Sequence, residues 1–122
     1  MSRAVLLGIV VALAACRGGD VPPGYVIVTG GNPNNGRAAI YRRHCGVCHD
    51  IPGVFGSHGV IGPPLANIAK RSFVAGVLPN SSDNLVRWIR TPRSIVPRTA
   101  MPNLGIDEPE ARDIAAYLYQ LR

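Results

Sequence analysis

Lysine is nearly missing from this 122-residue chain: Lys70 is the one lysine among 13 Lys and Arg. The positive surface is therefore almost all arginine. Against it stand only 7 Asp and Glu, which leaves a formal net charge of +6. Such a surface suits acidic protein partners or anionic membranes. Aromatic residues are also few, at 6%. No basic run is interleaved with them and no recognition motif is present, so nucleic acid is not an expected partner. The apolar run at residues 4–15 is too short to span a bilayer. From residue 35 onward there is no strand-like alternation, and the chain has no internal repeat. Methionine occurs twice, as Met1 and Met101, and cysteine three times, as Cys16, Cys45 and Cys48.

Two of those cysteines carry the strongest signal. Cys45-Gly46-Val47-Cys48-His49 spells C-x-x-C-H, the attachment pattern of a c-type haem. Two thiols add across the two vinyl groups of one porphyrin, and the histidine that follows is held beneath the iron as an axial ligand. The same C-x-x-C also occurs as half of a zinc site or as a redox dithiol. Zinc would want four good ligands. The supply is Cys45, Cys48 and His49, with His44 or His58 crowded into the same stretch, and no second C-x-x-C exists. A thioredoxin-like dithiol would need a preceding strand and a βαβ pattern, and neither is visible. One covalent haem per chain is the leading expectation.

The N-terminus points to export. Met1-Ser2-Arg3 is a short positive start, and residues 4–15 form the apolar core of a signal peptide. The core ends in Leu13-Ala14-Ala15-Cys16, which resembles the lipobox of bacterial lipoproteins. There the cysteine is acylated and becomes the mature N-terminus. The alternative is ordinary cleavage after Ala14, with Cys16 a bystander. Lipidation accounts for the odd thiol left after haem attachment. Several acyl chains, at roughly 0.8 kcal/mol per buried methylene, would hold the protein on a membrane. Both signals place it in a bacterial cell envelope, at the periplasmic face of a membrane.

Three segments are expected: a signal peptide at 1–15, a flexible lipid-anchored tether at 16–34 and a helical domain at 35–122. The tether reading rests on Gly, Pro and Asn content, although the β-prone run at 25–29 could instead lie against the domain. A first helix is predicted from an Asn34 or Asn35 cap up to the C-x-x-C-H motif, with His44 at its end. Residues 50–64 read as a Gly- and Pro-rich loop, with a short helix after Pro64. A second main helix follows Ser81-Ser82-Asp83, with Leu85, Trp88 and Ile89 on one face, and Pro92 stops it. Residues 91–106 read as loop. The last helix starts at Asp107-Glu108-Pro109-Glu110, an acidic capping pattern. It carries an apolar stripe of Ala111, Ile114, Ala115, Leu118 and Leu121.

The order of these marks resembles the class I c-type cytochromes, small monohaem proteins, over residues 35–122. The helix with Gly36 and Tyr41 comes first, then Cys45 to His49 and Gly62-Pro63-Pro64-Leu65. Trp88 in a helix follows, then Met101-Pro102, and a closing helix with Ala116-Tyr117-Leu118. The resemblance implies an all-α fold of three to five helices wrapped around one covalently attached haem c. It implies His49 and Met101 as the axial iron ligands, a pairing that raises the potential. It further implies that the Pro63 carbonyl accepts a hydrogen bond from His49 and that Leu65 and Trp88 pack near the haem. Gly36, Tyr41 and Tyr117 would let the first and last helices cross closely. His44 and His58 are expected to be surface residues, with His58 as an alternative distal ligand.

The function implied is one-electron transfer by a monomeric haem domain that is not an enzyme. It would serve a respiratory chain or dehydrogenase, with an oxidase or dehydrogenase as partner. Arginines such as Arg42, Arg43 or Arg98 would help to dock an acidic partner. The competing reading is a haem with an open distal position, acting as a sensor or small peroxidase.

Overall fold

Asn32 opens the helical part of the chain. In the computed structural model, which describes residues 27–121, its Oδ1 accepts the N–H groups of Asn34 at 2.9 Å and Asn35 at 3.4 Å. Pro33 occupies the first helical position, where no N–H is needed. Helix α1 therefore spans Pro33–Arg42, starting ahead of the Asn34 or Asn35 cap expected from composition. Asn-Pro, which looks like loop in isolation, is here a cap followed by a first-turn proline.

The preceding residues are packed against the domain. Thr29 is buried, and its carbonyl accepts a hydrogen bond from Arg112 Nη1 at 2.9 Å. The Asn32 N–H donates to Asp113 Oδ1 at 2.6 Å, and Ile27 lies against the core. Residues 27–32, on the tether side of the boundary expected at residues 34 and 35, thus rest on the last helix. The expected signal peptide at 1–15, Cys16 and the tether as far as residue 26 lie outside the described residues.

Helix α2 spans Ser82–Arg90, and its Ser81 cap accepts the Asn84 N–H at 3.3 Å. Leu85 and Ile89 are buried as the spacing predicts. Val86 joins them, while Trp88 is half-buried at the edge of the core. Pro92 ends this helix and begins another, the one-turn α3, Pro92–Ile95, inside a stretch expected as loop. Helix α4 spans Glu108–Leu118. Its cap is Asp107, whose Oδ1 accepts the Glu110 N–H at 2.9 Å. Ala111, Ile114, Ala115 and Leu118 form its buried stripe, and Leu121 packs beside it.

Between α1 and α2 the chain is mostly irregular. A 3-10 turn covers Cys45–Val47 and a second covers Ile68–Lys70. The second stands where a short helix was expected after Pro64. A small antiparallel hairpin pairs β1, Phe73–Val74, with β2, Leu78–Pro79. No strand was expected here, since two-residue strands are too short to show an alternating pattern.

Helices α1 and α4 pack on each other, and α2 packs on α4. The all-α expectation of three to five helices agrees with these four. The core is built on Ile40, Ile51, Leu85 and Pro92, each fully enclosed. At the α1–α4 crossing Gly36 lies on the α4 backbone: a Cβ there would stand 1.9 Å from the Asp113 carbonyl oxygen. Only Gly permits that approach. Two tyrosines were also expected at this crossing. Tyr41 is exposed, and the Tyr117 hydroxyl donates to the Pro52 carbonyl at 2.7 Å.

Candidate functional site

The C-x-x-C-H motif begins where α1 ends. Arg43 caps the helix, and His44 turns the chain with φ at +56°. His44 is therefore outside the helix rather than on its last turn, and its side chain is exposed. Cys45, Gly46 and Val47 form the 3-10 turn, and the His49 N–H closes back on the Cys45 carbonyl at 3.0 Å. This tight turn brings both thiols and the imidazole into one short arc. The Cys45 and Cys48 side chains are both half-buried. Burial pushes the Cys45 thiol above its ordinary value, so an unmodified Cys45 stays protonated.

Residues 57–65 wrap around that arc. Gly59 donates its N–H to the carbonyls of Gly46 at 3.0 Å and His49 at 3.2 Å. Gly62 donates to the Cys48 carbonyl at 2.7 Å, and Leu65 to that of Asp50 at 2.9 Å. The glycines are required by contact. A Cβ on Gly46 would meet buried Ser57 at 2.1 Å, and one on Gly59 would meet the Val47 carbonyl oxygen at 2.4 Å. A Cβ on Gly62 would strike the His49 ring at 2.3 Å. Composition marks these residues as loop formers, and only the folded chain shows which group each must admit.

The His49 Nδ1 lies 2.8 Å from the Pro63 carbonyl oxygen. A carbonyl can only accept, so Nδ1 carries the proton and the Nε2 lone pair is left for a metal. The ring is thus held from two sides, by Gly62 against its face and by Pro63 at its inner nitrogen. This donor set fits a covalently attached haem: two thiols three residues apart in one turn and an imidazole whose tautomer is set by Pro63. Among the described residues no three His, Cys, Asp or Glu side chains gather as a metal-holding group.

The other expected residues are spread over three elements. Leu65 is half-buried against the core, just past Pro63 and Pro64. Trp88 is half-buried on α2. Met101 is half-buried in the irregular segment between α3 and α4, and its N–H donates to Thr99 Oγ1 at 3.2 Å. His58 is exposed, and its Nδ1 pairs with Asp50 Oδ1 at 3.4 Å. Its backbone forms a bridge with that of Asp50, beside His49.

Several supporting residues escaped the sequence reading. Arg71 Nη2 donates to the carbonyls of Pro64 and Ala66 and braces the segment behind Pro63. Asn80 donates to the carbonyls of Ile68 and Arg71, each at 2.8 Å, and accepts from the Tyr119 hydroxyl at 2.8 Å. Burial pushes that phenol up to about 12, so Tyr119 remains a donor at neutral pH. These partners are 9 to 39 residues apart, and no local motif announces them.

Beside the motif, Arg43 and Arg42 of the α1 end both meet Glu110 of α4. The hydrogen bonds from Arg43, with its charge and that of Arg42, outweigh burial and hold the Glu110 carboxyl below its ordinary 4.5. A carboxyl lowered by folding stabilises the fold above its unfolded value and loses that contribution as pH falls through the lowered folded value. Below about pH 4.5, denaturant midpoints of the wild type should therefore fall more steeply than those of Glu110→Gln. Equal acid slopes in the two proteins would show that this pair adds nothing to acid stability.

A family model for cytochrome c matches residues 34–122. The chain is also similar to cytochrome c oxidase subunit 2 of Alkalihalophilus pseudofirmus, at 33% identity over 90 residues. That match covers 73% of this chain and 25% of the other, so the chain spans about a quarter of that relative's length.

Proposed function

As the chain belongs to the cytochrome c family, we propose that it is a one-electron carrier with His49 and Met101 as axial ligands and Cys45 and Cys48 as the thioether anchors. Family membership supports a covalent haem and electron transfer. The single observation that carries the finer reading is the preset His49: its Nδ1 is engaged at 2.8 Å by Pro63, which leaves Nε2 to bind iron. A bound haem would supply one-electron chemistry, and Cys45, Cys48, His49 and Met101 would hold it. Met101 is the sole methionine after Met1, and its thioether favours the reduced iron. Leu65 and Trp88 provide apolar walls at the edge of the core. His58 is exposed and its Nδ1 lies 3.4 Å from Asp50 Oδ1, which makes it the less favoured distal ligand.

In this reading Cys16 is lipidated after removal of residues 1–15, and the domain works at the periplasmic face of a bacterial membrane. No helix among the described residues is long and apolar enough to cross a membrane. The likeness to an oxidase subunit supports a respiratory partner. Replacing Cys16 by Ala should release the protein into the soluble fraction; full retention on membranes would overturn the lipid anchor.

The test of function is spectroscopic. The oxidised wild type should show the weak far-red band of methionine–iron ligation, and its ferrous form should resist carbon monoxide. Met101→Ala should lose the band and bind carbon monoxide readily. A wild type that lacks the band and takes up carbon monoxide at once would instead establish the open-site sensor or peroxidase reading.

A further inference from the structure

The segment at 101–106 has unusually little of its own to hold it. Among the described residues no backbone–backbone hydrogen bond involves it. It is fastened by side chains instead. Met101 donates to Thr99 Oγ1, Asn103 Oδ1 accepts the Arg93 N–H at 3.3 Å, and Ile106 is buried at the far end. Between these points one charged group reaches it. Arg43 Nη1 points at the Leu104 carbonyl at 3.5 Å, while Nη2 and Nε grip Glu110 at 2.5, 3.1 and 3.2 Å. Arg43 sits two residues before Cys45, and Glu110 lies in the first turn of α4, just beyond the segment. The Glu110 side chain is only 16% exposed, so its carboxylate is committed to these partners.

We infer that Arg43 and Glu110 are positioning residues, a clamp that couples the thiol-bearing turn to the 101–106 segment and keeps Met101 in place. The inference rests on the proposed role of Met101 as a ligand. Mechanically it needs less: the guanidinium fork must orient Glu110 and Leu104 together, which a planar group with several donors does and an ammonium does not. With the clamp broken, the segment would open more often, and a competing ligand would enter more easily.

The experiment compares Arg43→Gln, Arg43→Lys and Glu110→Gln holoproteins with Glu108→Gln. Glu108 is also in the first turn of α4, but it pairs with Arg90 and Arg112 away from the segment. The control therefore loses the same charge and the same helix-end interaction. Two readings are taken: imidazole affinity of the ferric protein, and amide exchange of residues 103–106. Arg43→Gln and Glu110→Gln should bind imidazole roughly five- to tenfold tighter and exchange faster by a similar factor. Arg43→Lys should fall between them and wild type, and Glu108→Gln should match wild type within about twofold. If Glu110→Gln behaves like Glu108→Gln in both readings, the clamp is overturned. If the wild type lacks the far-red band, the Met101 reading fails instead. The exchange rates then decide the clamp alone: faster exchange upholds it as the fastening of the segment, and unchanged exchange overturns it.

Discussion

Gly36→Ala should lower the midpoint of thermal unfolding by roughly 10–20 °C, and Gly36→Val should leave little folded protein. The added Cβ would lie 1.9 Å from the Asp113 carbonyl oxygen, 2.5 Å from its carbonyl carbon and 2.9 Å from the Ile114 nitrogen. All three are backbone atoms of α4, so no flexible side chain can yield. The helices must separate, and separation uncovers Ala39, Ile40, Ala111, Ile114 and Ala115, which are buried between and around them. Overpacking of this kind costs about 1–3 kcal/mol or more, against a total stability on the order of 5–15 kcal/mol for a small domain. Helix propensity works in the opposite direction, since Ala is favoured over Gly by about 1 kcal/mol, which makes the sign informative. Ala38→Val on the exposed face of the same helix should cost under about 1 kcal/mol. Far-UV circular dichroism melts of the three variants check this. A Gly36→Ala protein melting with the wild type would show that the two helices are not in backbone contact.

The second large effect is expected at Gly62. A Cβ there would stand 2.3 Å from His49 Cε1 and 2.6 Å from Nδ1. The backbone cannot retreat without losing the 2.7 Å bond from Gly62 N–H to the Cys48 carbonyl. The ring must therefore turn, and Nδ1 leaves the Pro63 carbonyl. Loss of such an outer contact typically weakens a metal ligand by roughly 10- to 100-fold. Gly62→Ala should keep a haem stain through denaturing electrophoresis, because the thioether bonds do not depend on His49. The proposed axial bond to iron should nevertheless yield at a lower denaturant concentration, read on the Soret band; a tenfold weaker bond corresponds to about 1.4 kcal/mol. A Soret midpoint equal to wild type would refute the tight fit between Gly62 and the ring. Loss of the stain would relocate the effect to haem attachment.

The two expectations differ in how much of them could be foreseen. C-x-x-C-H is a local pattern whose chemistry demands that spacing, so Cys45, Cys48 and His49 stand out in a bare sequence. The caps Ser81 and Asp107 are local as well, because a cap acts on N–H groups two or three residues away. Asn32 was missed for an ordinary reason: the run from Gly30 to Gly36 carries turn residues that mask a cap and a first-turn proline. The small hairpin and α3 were missed because elements of two to four residues show no period. Val86 escaped because its burial depends on what α2 faces.

The contacts that set the site are of another kind. Gly62 on His49, Gly36 on Asp113, Arg43 on Glu110 and residues 27–32 on α4 each join segments distant in the chain. Nothing in the spacing of those residues encodes the approach of one backbone to another.

The sequence by itself thus determined the cofactor-attachment pattern, the helical class and the starts of α2 and α4. Each of these depends on residues within one turn of one another. Only the tertiary structure decided which group Gly62 must admit beside the imidazole, that residues 27–32 rest on α4, and which side chains meet the segment that carries Met101. Those depend on close packing between distant parts of the chain, which a linear pattern does not record.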